Sequence, residues 1–297
     1  KLIIKPMYTS KVYIGQMREV GMKFGAHISS AAPFSETINR AVKEKCECMQ
    51  IFVNLPQRWN PLEIPEKEIE KFIENNKKAK IEPIIIHSIY LINLASSNPF
   101  FYQASQKSLI DDMKKAKAIG ALGVNTHLGS TKERDLKDCI DQIVQAIENI
   151  LTVVPEGPDF IIENSAGAGN IIGDTLEEIG QIVKATNSER VKVLIDTAHA
   201  FASGYDIRSR VGVDDFVKKF DKEIGLEKLV GLHLNDSASI KNSHRDRHAD
   251  IGEGGLGIGA FKLMINHPKL KDLFGIIETP SMKGKGGVDN LTILRSL

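Results

Sequence analysis

The sequence predicts a single-domain α/β fold, a (β/α)8 TIM barrel, and three observations carry that expectation. Short apolar runs of four to six residues alternate with longer stretches of helical period along the chain. The runs are nearly continuous in Ile, Val and Leu, as strands become when both faces of a parallel sheet are buried. From the third run to the eighth, each ends on a histidine or a carboxylate. An open doubly wound sheet would gather such groups only at its topological switch point, whereas a closed barrel brings every strand end to one face.

In chain order the expected strands are 22–28, 48–53, 83–87, 122–127, 159–163, 191–196, 229–234 and 274–278. Between them the expected helices are 33–45, 65–79, 102–119, 134–153, 174–186, 213–223 and 259–266, with 288–296 closing the chain. Pro33, Pro65 and Asp174 sit where helices should start, and Gly120 where one should stop. Leu109, Met113, Ala116 and Ile119 have the spacing of an apolar helix stripe, as do Leu136, Ile140, Ile143 and Ile147. Residues 1–21 have weak periodicity and read as an extension outside the fold, or as sequence upstream of the true start. The barrel domain is expected over 22–297.

A chain of 297 residues, 42% hydrophobic and 26% charged, has ordinary globular usage and enough apolar material for one large core. The net charge of +1 gives no bulk attraction to nucleic acid or membrane, so affinity for a polyanion must come from local charge and bound cations. Cys46, Cys48 and Cys139 form neither a disulfide framework nor a cysteine zinc motif, which points to a reducing, cytoplasmic compartment. No apolar run approaches the roughly 18 residues of a membrane span, and Lys1 to Pro6 lack the apolar stretch of a signal peptide.

The chemistry lies at the strand ends. The runs deliver His87, His127, Glu163, Asp196, His233 and Glu278, with His199 three residues after Asp196 and the pair Asp246 and His248 before the last strand. One such residue alone is usually structural, but five imidazoles and four carboxylates converging on one rim make a metal site. Zinc takes three or four protein ligands, so this set suits three ions with one carboxylate shared between two of them. Three divalent ions against four carboxylates leave a formal charge of about +2, which would attract a phosphodiester. Asp196 and His199 point in different directions and can serve different ions. Asp246 and His248, two apart, project to one side of an extended segment and with His199 would form a second, more open site. A sugar isomerase or epimerase with one or two metals is the competing enzyme on such a barrel, and a metal-stabilised binding protein is a third class.

These residues also sit in motifs. His87 to Leu94 (HSIYLINL), His127-Leu128-Gly129-Ser130, Glu163-Asn164-Ser165-Ala166-Gly167, Asp196 to Asp206 (DTAHAFASGYD), His233-Leu234-Asn235-Asp236-Ser237 and Asp246-Arg247-His248 together resemble the endonuclease IV family of zinc-dependent apurinic/apyrimidinic (AP) endonucleases, in order from Met22 to the C-terminus. The resemblance implies three zinc ions, with manganese acceptable at one site. His87 and His127 would hold the first with Glu163. Glu163 would bridge to the second, completed by Asp196, His233 and Glu278, and His199, Asp246 and His248 would hold the third. It implies hydrolysis of the phosphodiester 5′ to an abasic site in duplex DNA, leaving a 3′-hydroxyl and a 5′-deoxyribose phosphate, and trimming of blocked 3′ ends. Glu163 would be the catalytic carboxylate, setting the pair of ions that activates the attacking hydroxide. A monomer is expected.

The family's DNA-penetrating loop matches Tyr90-Leu91-Ile92-Asn93, so Tyr90 and Leu91 are candidate wedge residues. In the loop after the second strand, the family's inserted-arginine slot holds Gln57, and Arg58 one place later is the DNA-contact candidate. Lys132, Arg134, Arg208, Arg210, Lys241, Arg245, Arg247, Lys283 and Lys285 fall on loops of the same face, where they could meet phosphates. Gly252-Glu253-Gly254-Gly255-Leu256-Gly257 follows a polar stretch rather than a strand, so it fails as a dinucleotide loop and reads as a flexible segment approaching DNA. His27 is expected beside the metal site, and His244 and His267 on the surface.

Overall fold

The computed structural model describes residues 21–282, 284 and 289–297. The proposed extension, apart from Gly21, and Lys283 and Lys285 lie outside the described residues. All eight expected strands form, trimmed at their ends: β1 (Lys23–His27), β2 (Cys48–Ile51), β3 (Ile84–His87), β4 (Gly123–Thr126), β5 (Asp159–Glu163), β6 (Val191–Asp196), β7 (Leu229–His233) and β8 (Phe274–Ile277). They close into a barrel in which each strand pairs in parallel with its sequence neighbours and β8 returns to β1.

Around the barrel run α1 (Thr37–Lys43), α2 (Glu66–Ala79), α3 (Pro99–Ile119), α4 (Leu136–Val153), α5 (Leu176–Thr186), α6 (Thr197–Ala202), α7 (Arg210–Glu223), α8 (Gly257–Ile265) and α9 (Asn290–Arg295). Their boundaries follow local chemistry. The Asn98 side chain accepts from the Phe100 amide and Pro99 pre-sets the first turn, so α3 starts three residues before the periodicity suggests. Gly120 ends it in the left-handed region at φ 72°. Asp135 caps α4, and α5 is capped by Thr175 rather than by Asp174. The apolar stripes of α3 and α4 are buried except for Leu136, 39% exposed at the first position of α4. Helix α6, absent from the expected elements, is too short for any periodicity to announce it. Among the described residues no helix is long and apolar enough to cross a membrane.

The barrel's period-two pattern organises everything above it. Cys48, Ile85, Leu122, Ile161, Leu194, Phe274 and Ile276 pack together inside the barrel, while a larger cluster joins the strands' outer faces to the helices. Gly231 leaves the room that the Phe274 ring fills, since a Cβ there would collide with the ring. Two residues beyond Cys48, Ile85, Ile161, Leu194, Gly231 and Ile276 come Gln50, His87, Glu163, Asp196, His233 and Glu278. An apolar column therefore ends, strand after strand, in a polar group at the carboxyl end of the barrel.

The loop between β2 and α2 is tied to α3 by buried polar contacts. Asn54 donates to Asp111 (2.9 Å) and Asp112 (2.8 Å), and accepts from the Leu62 amide and the Lys115 ammonium (both 2.7 Å). Asp112 is fully buried and its second oxygen has no partner, so burial pushes its carboxyl up to about 7 despite the Asn54 hydrogen bond. The folded state thus binds this proton more tightly than the unfolded chain. The resulting stability is complete below the ordinary aspartate value of 3.8 and is lost as pH rises through about 7. Over that window the loss amounts to roughly 4 kcal/mol at most. Asp112→Asn, which keeps an acceptor for Asn54, should gain stability on the wild type between pH 5 and pH 8 in urea unfolding. A difference that stays flat with pH would show that Asp112 is ionised throughout.

Candidate metal centre

A cavity of about 560 Å³ at the top of the barrel is lined by His27, His87, His127 and Glu278 from the strand ends, with Phe52, Tyr90, His199, Asp246 and His248 among others, while Glu163, Asp196 and His233 are fully buried. Three sets of donor atoms converge closely enough to share a cation: His87, His127 and Glu163; Glu163, Asp196, His233 and Glu278; and Asp196, His199 and His248. Glu163 belongs to the first two. Its Oε2 stands 3.5 Å from His87 Nε2 and 3.8 Å from His127 Nε2, and its Oε1 is 3.0 Å from His233 Nδ1. Asp196 belongs to the last two, which the sequence does not reveal. Asp246 joins the third set, with Oδ1 3.2 Å from His199 Nε2 and 3.3 Å from His248 Nε2.

Local structure aims these groups. Asp196 ends β6 and caps α6 by accepting from the His199 amide at 2.8 Å, so a single turn of helix separates the two side chains. His248 lies in a two-residue antiparallel ribbon, Asp236–Ser237 with His248–Ala249, that closes over the site. Asn235 extends β7 and donates to Asp196 Oδ2 at 2.7 Å while its own Oδ1 accepts from the Glu278 amide at 2.7 Å.

Electrostatics binds the cluster together. Burial works to protonate Glu163, but His233, His127 and His199 outweigh it and hold the carboxyl well below the usual range. Burial likewise opposes a charge on His233, yet Glu278 and Glu163 raise the imidazole to about 9. His199 is raised in the same way by Asp196, Asp246 and Glu163, whereas burial prevails at His127 and His27 and lowers both. Imidazoles bind cations only when deprotonated, so protons and metal compete for this cluster.

The residues fit divalent cations. His127 Nδ1, His199 Nε2 and His248 Nε2 are buried without a hydrogen-bond partner, although Asp246 lies close to the last two. Unpartnered buried nitrogens are costly, and here two of the three border shared donor sets of imidazole and carboxylate, the donor types that suit zinc and manganese.

Several contributors escaped the sequence reading. Gln50, fully buried, donates to Glu278 Oε1 at 2.5 Å and faces His233 Nε2 at 3.0 Å. Asn125 donates to Glu163 Oε2, and Asn164 accepts from the Asp196 amide at 2.6 Å. Their one signal was a polar residue inside or just beyond an apolar strand. His27 does approach the site, 3.3 Å from Glu278. His267 is not on the surface: it is 7% exposed and faces Asp214 at 3.2 Å.

At the rim, Tyr90 is 63% exposed, its ring edge-on to Phe52 and His87, and its amide donates to Pro56 O at 2.8 Å. Leu91 is half-buried and Ile92 buried, so Tyr90 alone of the expected wedge stands fully out. Arg58 is exposed on the neighbouring loop. Among the basic residues, Arg134 is held by Ala95 O and Gln142, Arg208 and Lys241 face Asp206, and Arg247 lines the cavity. The glycine loop 252–257 does not offer its amides outward, because most of them point at the buried carboxylate of Asp236.

Residues 38–296 match the family model described as a xylose isomerase-like TIM barrel. The chain is 39% identical over 276 residues to the probable endonuclease 4 of Halothermothrix orenii, across 92% of this chain and 99% of that one. It is 32% identical to the probable endonuclease 4 of Sulfurihydrogenibium sp., across 93% and 99%. The crystal structure of endonuclease IV from Thermus thermophilus superposes with a TM-score of 0.81 at 29% identity, covering 92% and 97%. A D-tagatose 3-epimerase-like protein superposes at a TM-score of 0.71 with 20% identity, which is a likeness of fold alone. Matched along almost its whole length by these relatives, the chain belongs to the endonuclease IV family.

Proposed function

We propose that this protein is a DNA repair nuclease that hydrolyses the phosphodiester 5′ to an abasic site in duplex DNA, leaving a 3′-hydroxyl and a 5′-deoxyribose phosphate. Trimming of blocked 3′ ends would use the same centre. The observation that carries the reading is the convergence of three donor sets linked by two shared carboxylates, Glu163 and Asp196, in a chain whose relatives are named endonuclease 4. His87, His127 and Glu163 would hold one ion, Glu163, Asp196, His233 and Glu278 a second, and His199, His248 and Asp246 a third, with Asp196 within reach of it. Zinc suits all three, and manganese is acceptable at one. Bound there, divalent cations supply Lewis-acid polarisation of a phosphoryl group and activation of water.

The chain's own residues supply orientation. Glu163 carries the negative charge that sets two donor sets side by side, and Asn125 and His233 fix its two oxygens. Gln50 and Asn235 hold Glu278 from either side, one at its carboxylate and one at its amide. Tyr90, exposed at the cavity's edge, would fill the gap in a duplex bent over the rim, and the exposed Arg58 and Arg247 would meet phosphates.

The decisive experiment offers a duplex containing one abasic analogue, with and without chelator. A single nick 5′ to the analogue, lost with chelator and restored by zinc, is expected. Intact DNA together with turnover of a ketose would replace this reading with the sugar epimerase one. Glu163→Gln should abolish cleavage and leave the circular dichroism of the protein unchanged, and wild-type turnover would show that another residue does its work. Tyr90→Ala combined with Leu91→Ala should cost about a hundredfold in kcat/KM on abasic duplex, equivalent to about 2.7 kcal/mol. Affinity for undamaged duplex at fixed salt, which rests on phosphate contacts, should change far less. Equal losses in both would make the loop a general contact rather than a sensor of the lesion.

A further inference from the structure

Asp236 lies one residue past the Asn235 that serves Asp196 and Glu278, and its carboxylate belongs to none of the donor sets. It is fully buried and no cation faces it among the described residues. Instead it is enclosed by backbone amides. Ser237 and Leu256 donate to Oδ1 at 2.8 and 2.9 Å, and Gly252, Gly254 and Gly257 donate to Oδ2 at 3.0, 3.0 and 3.1 Å. Five N–H dipoles around one carboxylate make a strong, charge-assisted anchor. Gly254 has to be glycine for this cage to close, since a Cβ there would collide with Asp236 Oδ1 and with Ser237 O.

The cage fixes more than a loop. Asp236 and Ser237 pair with Ala249 and His248, and the Ala238 amide donates to Arg247 O at 2.8 Å. Gly255 N donates to Ser237 O at 2.7 Å, so the glycine loop locks the outer side of the same strand. The segment Asp246–His248, unlike the residues on the barrel strands, has no long sheet to hold it. Its register over His199 rests on a ribbon two residues long and on the contact of His248 Nδ1 with Glu278 O at 3.2 Å.

We infer that Asp236 is the positioning residue of the third donor set, its carboxylate holding the His248-bearing ribbon in register over His199. This rests on the reading of three metal sites given above. An amide at this position offers one acceptor oxygen and turns an NH2 group toward N–H donors, so Asp236→Asn should open the cage without removing any metal-binding side chain. Outer partners of metal ligands typically contribute 10- to 100-fold in affinity.

The test is equilibrium dialysis of the full chain against buffered zinc, with ions per chain counted by mass spectrometry. Wild type should hold three, and Asp236→Asn should hold two with unchanged affinity while the third weakens at least tenfold. Gly254→Ala, which crowds the cage from the opposite side and keeps the carboxylate, should show the same selective loss, and it carries the test should Asp236→Asn not fold. A part that merely supported the fold would weaken all three ions together. Three ions at wild-type affinity in the folded variants, or a uniform loss of all ions, overturns the role of Asp236. Fewer than three ions in the wild type overturns the assignment of the third set itself, and this inference with it.

Discussion

A carboxylate withdrawn wholly from water, as Glu163 is, has to be met by donors or cations on every side. His87, His127, His199 and His233 all stand within 4 Å of its oxygens, and Asn125 takes the geometry they leave. The dependence is mutual, because the raised pKa values of His87, His199 and His233 rest in part on the same carboxylate. Removing one member of such a buried set strands the charge of the others, at a typical cost of 3–5 kcal/mol. The cluster therefore behaves as a unit, and single substitutions within it will not add.

The barrel makes this concentration of charge tolerable. Because side chains alternate along a strand, closing eight parallel strands turns every second residue inward, and the lower inward residues are Cys48, Ile85, Ile161, Leu194 and Phe274. They form a dry plug beneath the polar layer. The change from apolar to polar takes place within two residues on each strand, about 6–7 Å of rise. A one-residue slip of any strand would send its donor group to the helix-packed outer face, so the register that buries the core also sets the geometry of the donor sets.

This coupling explains what could be read in advance. Strand positions and end groups were legible because each end group terminates an apolar run, and periodicity locates such runs well. Gln50, Asn125 and Asn235 were not, because an amide has no chemistry of its own to announce it, and its value lies in partners 38 to 228 residues away. Asp196's place between two donor sets and the short helix α6 escaped for a related reason: both depend on a cap that exists only once the chain turns. The glycine loop 252–257 was misread by proximity. The sequence shows six residues rich in glycine and suggests a loop free to approach a ligand. Those glycines instead let backbone amides close on a carboxylate sixteen to twenty-one residues upstream.

The two levels of the site are therefore held by different physics. The sets around Glu163 sit on barrel strands whose hydrogen-bonded ladders and apolar floor leave them little freedom. The third set combines Asp196 and His199, at the two ends of one helical turn, with His248 and the neighbouring Asp246, on a hairpin at the mouth where the Asp246 side chain is 53% exposed. Such a lip can be wet and reachable from solvent, which the floor cannot. That access comes with local opening, because segments with few buried contacts open more easily than the core. A caged carboxylate answers that weakness with directional hydrogen bonds rather than added apolar area, so the mouth stays polar while its ribbon stays in register. The glycines of the cage follow from the same need by two routes. Gly252 and Gly257 bend the backbone through positive φ to aim their amides, and Gly254 leaves the space in which the carboxylate sits.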